Sequence, residues 1–324
     1  ISDEALEFSR VAVSILFLGL VSLFGIVANV FVIAVLRRQG FQESVNISLL
    51  GLAIADLCCV TLALWSSICN IFLIGQPRDF SFEPYSLLTM TGNLPRVIFS
   101  RVTCWITALI ALERCICVTL PFRVKVVFTL KTTLAATVAV FLAVLLGYLS
   151  IFESRHWATR LDRTSNTTKY YMVFSTTDWT SHLTSLLFLA LPITNILTLM
   201  ICTLILTVSL SASSNWRESA RSSKIKREKR AINPTKEMRV SKMVLILTLI
   251  FIACNLPSNM LIATRTIVPE FQEIGKLQKL FRVTHTFAFL LETTSSSINV
   301  FVYYRMGSKF KLEFLKMITC VKTR

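Results

Sequence analysis

Charged residues are scarce in this chain of 324 amino acids. Asp, Glu, Lys and Arg together make up 16% of it, whereas 54% is hydrophobic and the mean hydropathy is +0.65. This composition is far too apolar for a soluble chain of this length, so it predicts a membrane protein. The net charge of +16 does not indicate a nucleic-acid partner, because the basic residues cluster between hydrophobic segments, where membrane topology accounts for them.

The chain also lacks the patterns that carry catalysis. No Ser/His/Asp or Cys/His constellation, phosphate-binding loop or metal-ligand cluster is recognisable, so we do not expect an enzyme. None of the nine cysteines lies in a connection assigned to the outside, which argues against an extracellular disulfide framework. No cleavable secretory signal is evident, and the chain begins at Ile1, so we expect the natural N-terminus to lie further upstream.

Seven hydrophobic windows are each long enough for a helix that crosses a bilayer, which takes about 20 residues. Lys and Arg follow the first, third and fifth windows, so these connections face the cytosol by the positive-inside rule. The sequence thus predicts an all-α protein of the plasma membrane, a seven-transmembrane helix bundle with its N-terminus outside and its C-terminus in the cytoplasm. Residues 1–10 are extracellular, 11–304 form the bundle, and 305–324 form an amphipathic helix and tail. The windows are Val11–Arg37, Asn46–Ile74, Leu87–Val118, Leu130–Phe152, Ser181–Leu210, Pro234–Val268 and Leu277–Tyr304.

Polar residues recur along one face of the third window. Their spacings of three, four or seven residues place them on one side of a helix. The seventh window has a similar stripe, and the first and second windows each carry one deep polar residue. In lipid such groups need partners within the protein, so the helices are expected to pack around a shared polar seam. The positions are Asn29, Asp56, Arg96, Ser100, Thr103, Thr107, Arg114, His285, Glu292, Ser295, Ser296, Asn299 and Tyr303.

Short motifs, in order along nearly the whole chain, resemble the rhodopsin-like (class A) G-protein-coupled receptors. They are Gly25–Val30, Asn46–Asp56, Glu113-Arg114-Cys115, Pro121-Phe122, Pro192, Phe251, Cys254–Pro257, Asn299–Tyr303 and Phe310. The resemblance implies that an agonist enters from outside, that the inner part of the sixth helix swings outward, and that a heterotrimeric G protein exchanges its nucleotide.

Several positions depart from the family pattern. Cys115 replaces the usual aromatic residue after the arginine, Asn255 replaces a tryptophan of the sixth helix, and Val300 replaces a proline of the seventh. Thr89 stands where the family carries one cysteine of its outer disulfide. These departures indicate a divergent, invertebrate-type peptide or chemosensory branch.

The ligand pocket implied by the resemblance lies in the outer half of the bundle. Arg96 either pairs with Glu292 or binds an anionic group of the ligand, and both hold if the ligand displaces Glu292. Arg265 would add positive charge at the entrance. We therefore expect a peptide or an acidic small molecule. Further candidates, placed by helix position only, are Ser100, Thr184, Ser185, Asn259, Ile262, His285 and Phe289.

Asp56 resembles the carboxylate of the family's sodium pocket. A carboxylate among neutral oxygen donors can hold a hard cation, which would favour the resting state. The alternative is hydrogen bonding without an ion, and we expect no other cofactor. The companions implied by the family are Asn29, Thr103, Ser295 and Asn299.

Glu113 and Arg114 lie at the inner water boundary of the third window. They are either an activation latch or a stop-transfer border at which the arginine reaches the headgroups. Glu237, near the start of the sixth helix, either pairs with Arg114 to hold the resting state or belongs to a solvated face. The other switch residues implied by the family are Pro192, Phe251, Asn255, Pro257 and Tyr303.

Three features concern the loops and the tail. Asn166 begins a glycosylation sequon in a connection assigned to the outside. Cys320 is a candidate for palmitoylation or a free thiol. The basic run Lys224–Arg230 contacts G protein or anionic lipid, or only sets the topology.

Three alternatives to a ligand-activated peptide receptor are considered. A chemosensory or odorant-type receptor belongs to the same family. A channel or transporter could line its path with Asp56, Arg96 and Glu292, although the chain has neither an internal repeat nor a selectivity-filter-like stretch. A non-signalling decoy receptor would explain the altered switch motifs.

Overall fold

The computed structural model describes residues 2–75, 80–153, 155–162, 167–174, 179, 182–183, 186–222, 234–268, 270–271 and 275–322. Long helical rods dominate this part of the chain, and we number them α1 to α7, with α8 following. The rods are α1 (Asp3–Phe8, Ser9–Phe17 and Leu18–Gln39), α2 (Ser44–Gly75), α3 (Pro84–Leu88, Thr89–Asn93 and Leu94–Thr119), α4 (Leu130–Glu153), α5 (Leu186–Ala190 and Leu191–Ser222), α6 (Pro234–Ile267), α7 (Gln278–Met306) and α8 (Ser308–Lys322). A short helix, Pro121–Val127, joins α3 to α4, and strands β1 (Arg155–Asp162) and β2 (Thr167–Phe174) lie between α4 and α5.

Six of the described helices, α1 to α6, are long and apolar enough to cross a membrane, judged by length and composition. The seventh, α7, has 29 residues and so extends about 43 Å, but its many polar side chains lower its hydropathy. Those side chains are covered by neighbouring helices: Glu292, Thr293, Ser295, Ser296 and Ser297 are all buried. The all-α membrane bundle predicted from the sequence is confirmed.

The rod α3 is the centre of the bundle. It packs against α2, α4, α5 and α6, while α7 packs against α1, α2 and α6. A buried apolar cluster joins α1, α2, α3, α6, α7 and α8. At Gly25 the backbone of α1 approaches α7 so closely that an added Cβ would lie 2.3 Å from Ser297 Oγ. Glycine at this position therefore allows the two helices to meet.

The hairpin of β1 and β2 is an addition to the all-helical prediction. Backbone hydrogen bonds of 2.7 Å join Glu83 N–H to the Tyr170 carbonyl and Tyr170 N–H to the Ser81 carbonyl. The ring of Phe82 stacks on Tyr170 with centroids 5.3 Å apart. These contacts hold the hairpin to the chain just before α3. Thr89, which stands where the rhodopsin-like receptors carry a cysteine of their outer disulfide, lies in the first part of α3. We call this side of the bundle the hairpin end, and the other side the Arg114 end.

The helix boundaries extend beyond several predicted windows. The first helix begins at Asp3, not Val11, and α5 continues to Ser222. After the turn at Gly307, α8 folds back so that Phe310 packs 5.7 Å from the ring of Tyr303 and Phe314 packs 5.4 Å from that of Tyr304. Aromatic packing thus fixes α8 against the end of α7.

Candidate functional site

Arg96 of α3 and Glu292 of α7 form a buried ion pair near the hairpin end. Arg96 Nη2 lies 3.2 Å from Glu292 Oε2, and the side chains are 0% and 5% exposed. The same nitrogen donates to the Phe289 carbonyl at 3.1 Å and to Thr293 Oγ1 at 3.2 Å. Of the two arrangements left open by the sequence, the structure has the pairing, so α7 balances the charge of Arg96.

A cavity of about 340 Å³ opens beside this pair, between α1, α2, α3 and α7. His285 and Phe289 line it from α7, and Glu7 and Arg10 line it from α1. The Phe289 ring contacts His285, with centroids 4.1 Å apart, and its centroid lies 3.9 Å from the guanidinium carbon of Arg96. Phe289 therefore links the cavity to the ion pair.

A second buried arginine, Arg101, was missed by the sequence analysis. It is 5% exposed. Its Nη1 lies 3.5 Å from Asn259 Oδ1 of α6, and its Nε has no hydrogen-bond partner in the described part of the chain. Cys104 and Tyr148 are its other close neighbours, and within the described chain no carboxylate forms an ion pair with it. Its charge within a membrane window was the signal that could have identified it.

The remaining ligand candidates do not all join this site. Ser100 is buried one turn after Arg96. The side-chain oxygen of Asn259 lies near Arg101, and its amide nitrogen donates to the Asn255 carbonyl at 2.8 Å. Neither Ile262 nor Arg265 is among the described residues that line the cavity. Ile262 is half-buried, and the exposed Arg265 lies 5.9 Å from the ring of Phe281. Thr184 and Ser185 lie outside the described residues.

Asp56 is fully buried where α2, α3 and α7 meet. Its carboxylate accepts hydrogen bonds from Thr103 Oγ1 at 3.1 Å, from Asn299 Nδ2 at 2.8 Å and from Ser296. The serine that bonds it is thus Ser296, adjacent to the buried Ser295 named in the prediction. Asn29 instead donates its amide to the Gly25 and Ser296 carbonyls, each at 2.9 Å. A cation bound here would compete with neutral donors for Asp56.

Glu113 and Arg114 form an ion pair at the opposite end of α3. Arg114 Nη2 lies 2.7 Å from Glu113 Oε1, and both side chains are buried. The same oxygen accepts a hydrogen bond of 2.5 Å from Ser44 Oγ at the start of α2, a residue that the sequence analysis did not single out. An arginine held in this way does not extend to the headgroups as the stop-transfer alternative requires. Glu237 lies in α6, but its side chain is outside the described residues.

The other predicted switch residues are all buried or half-buried in the helices. Pro192 lies just after the first segment of α5, Leu186–Ala190, which forms a π-helix. Phe251 packs in a buried cluster contributed by α3, α5 and α6. Asn255 donates to the Phe251 carbonyl at 2.9 Å, and Pro257 lies two residues further along α6. Tyr303 is buried, and its hydroxyl has no hydrogen-bond partner. Asn166, the side chain of Cys320 and the run Lys224–Arg230 lie outside the described residues.

A family model described as "Serpentine type 7TM GPCR chemoreceptor Srw" matches residues 16–321, nearly the whole chain. No curated protein matches the chain. The matched range contains the Arg96 and Glu292 pair, the Asp56 cluster and the Glu113 and Arg114 pair. The chain therefore belongs to the Srw family of serpentine seven-transmembrane chemoreceptors, and it is a multi-pass membrane receptor.

Proposed function

We propose that this receptor lies in the plasma membrane, binds an extracellular peptide or acidic small molecule at the hairpin end, and activates a heterotrimeric G protein at the Arg114 end. The observation that carries the proposal is the buried ion pair of Arg96 and Glu292. It joins α3 to α7, and Phe289, whose ring contacts Arg96, lines a cavity of about 340 Å³. Pockets for small ligands typically have about 300–1,000 Å³.

The distribution of charge supports this orientation. Arg37 and Arg38 end α1, and Arg123 and Lys131 lie close to α3 and α4, all at the Arg114 end. The positive-inside rule places such an end in the cytosol. The hairpin end then faces outward, where an external compound reaches the cavity.

The ligand acts through its differential affinity for two arrangements of the bundle. An ion pair in a dry interior is strong but depends on close geometry, so a ligand that shifts α7 or competes for Arg96 changes how α3 and α7 hold each other. The rhodopsin-like motifs support a response in which α6 moves outward near Arg114. Asp56 is proposed as a sodium site of the resting state, supported by its burial among hydroxyl groups of α3 and α7.

The test is an agonist screen. Cells that express the full chain with a panel of promiscuous G proteins are exposed to peptide and small-molecule libraries. Each active compound is retested on Arg96→Ala and on Lys279→Ala, a control with the same charge change at an exposed position of the hairpin end. We expect Arg96→Ala to raise the half-maximal concentration at least roughly tenfold and Lys279→Ala to leave it unchanged, since a lost charged hydrogen bond is worth about 1.5–3 kcal/mol.

Three results contradict the proposal. An agonist that acts equally on wild type and Arg96→Ala at equal surface expression removes Arg96 from ligand recognition. A ligand-gated current that needs no G protein favours a channel. Ligand binding without any sensitivity to guanine nucleotides favours a decoy.

A further inference from the structure

We propose that Arg101, together with Asn259, forms a binding site for a carboxylate group of the ligand. The inference rests on the proposed function in one respect, namely that a ligand enters the bundle from the hairpin end. It assigns the ligand carboxylate to Arg101, in addition to the contact proposed for Arg96. The ligand is accordingly an organic acid whose carboxylate lies at its deep end.

The charges of the two buried arginines are balanced differently. Arg96 has Glu292 at 3.2 Å, and both side chains are buried. Arg101 is almost as buried, yet within the described chain no carboxylate pairs with it. Glu292 contributes to its electrostatic surroundings but is bonded to Arg96. Two buried cations therefore share one carboxylate, and a buried charge without its counter-charge is costly in a membrane interior.

The groups that surround Arg101 are neutral and only partly satisfy it. Asn259 Oδ1 is 3.5 Å away, beyond the usual 2.7–3.2 Å of such a bond. The Asn259 amide nitrogen is bonded to the Asn255 carbonyl, so the side chain is fixed by its own helix. The hydroxyl of Tyr148 donates its hydrogen to the Leu187 carbonyl at 2.8 Å. The Tyr148 oxygen and the Cys104 thiol are also within hydrogen-bond reach of Arg101, so its partners among the described residues are neutral and none is a carboxylate.

The geometry of the guanidinium group selects the chemical class. Arg101 Nε is buried and has no hydrogen-bond partner among the residues that the structure describes. A planar guanidinium can bind both oxygens of one carboxylate through two parallel hydrogen bonds, using Nε and one terminal nitrogen. An amide or ester of the same shape carries no charge and cannot replace the missing anion. A cationic group is repelled by both arginines.

The position on α3 defines how the ligand is oriented. Arg101 lies five residues after Arg96, about 7.5 Å further from the hairpin end. A ligand that contacts both arginines must therefore insert its carboxylate first. The rest of the ligand then extends from Arg101 towards the hairpin end.

The experiment measures thermal unfolding of the purified full chain in detergent, first without ligand. Arg101→Gln is expected to raise the unfolding midpoint, because it removes a buried charge with which no carboxylate of the described residues pairs. Arg96→Gln is expected to lower it, because it leaves Glu292 unpaired. Arg101→Lys keeps the charge and is the second variant if Arg101→Gln does not fold. If Arg101→Gln lowers the midpoint as Arg96→Gln does, Arg101 is a structural residue and the proposal is wrong.

The second measurement adds carboxylate probes at constant ionic strength. Acetate, butyrate, hexanoate, benzoate and succinate are compared with butyramide and benzamide. We expect at least one carboxylate to raise the wild-type midpoint by roughly 2–4 °C when present well above its Kd, and the amides to have no effect. The shift should disappear in Arg101→Gln, weaken in Arg101→Lys and persist in the exposed control Lys279→Gln. Absence of any carboxylate shift in the wild type, or a shift that survives Arg101→Gln, overturns the assignment.

This experiment separates the inference from the proposed function. Unfolding reports binding without G protein, so carboxylate stabilisation in a chain that does not signal supports the site and contradicts the signalling proposal. A neutral or cationic agonist that activates G protein, found together with no carboxylate shift, supports the signalling proposal and contradicts the site.

Discussion

Replacing Arg96 by glutamine leaves Glu292 as a buried carboxylate without its cation. Both side chains are at most 5% exposed, so water cannot compensate the loss. Removing one partner of such a pair typically costs about 3–5 kcal/mol. The stacking of Arg96 on Phe289, at 3.9 Å, adds roughly 1 kcal/mol that is lost at the same time.

The complete test is a double-mutant cycle. Glu292→Gln leaves Arg96 unpaired and is expected to cost a similar amount. Arg96→Gln combined with Glu292→Gln removes both charges together, so neither partner is left as an unpaired buried ion. The double variant should therefore be more stable than either single variant, which at about 3–5 kcal/mol for each single change gives a coupling energy of at least roughly 3 kcal/mol.

The assay is thermal unfolding of the purified receptor, followed in the same detergent for all variants. For a chain of this size, one kcal/mol corresponds to roughly 2 °C, so each single variant should lower the midpoint by roughly 6 °C or more. Lys279→Gln, an exposed cation paired with Asp3, should change it by less than about 1 °C. Additive losses in the double variant would refute the assignment of a stabilising pair.

Three further outcomes are expected. In membranes, sodium should lower agonist affinity for the wild type but not for Asp56→Asn, and a wild type indifferent to sodium would remove the ion from the mechanism. Gly25→Ala should overpack α1 against Ser297, which lowers the free energy of unfolding by about 1–3 kcal/mol and with it the unfolding midpoint. Gly147→Ala should lower the midpoint less, because its added Cβ would lie 3.4 Å from its nearest neighbour. Equal effects would contradict the close approach of α1 to α7. Glu237→Ala should raise ligand-independent signalling at equal surface expression, and unchanged basal activity would count against the latch.

The structures of α7 and α3 show which buried residues helical periodicity predicts from the sequence and which it misses. The window Leu277–Tyr304 predicted α7, and its polar stripe predicted that the polar side of this helix lies inward. The same method applied to α3 missed Arg101, because a stripe assumes that only one face of a helix is buried. Arg101 lies about 140° around the helix from Arg96, and α3 is buried on several faces by α2, α4, α5 and α6.

The sequence does not predict contacts that depend on how one helix is rotated about its axis against its neighbour. Ser295 and Ser296 differ by 100° around α7, and only the rotation of α7 against α2 makes Ser296 the partner of Asp56. The same holds for Ser44, whose hydrogen bond to Glu113 depends on how the start of α2 approaches α3. Spacing along one helix places residues on a face, whereas the neighbour of that face follows from packing.

Four of the polar contacts of α3 explain how its two ends could be coupled. Arg96 bonds α7, Arg101 approaches α6, Thr103 bonds Asp56 of α2, and Glu113 bonds Ser44 of α2. Arg96 and Glu113 are 17 residues apart, or about 26 Å of helix. Because the continuous hydrogen bonding of a helix resists bending, a ligand that rotates α3 at Arg96 and Arg101 also rotates it at Glu113. The contacts to α2 oppose that rotation, so the balance between the α7 contact and the α2 contacts determines which arrangement the receptor adopts.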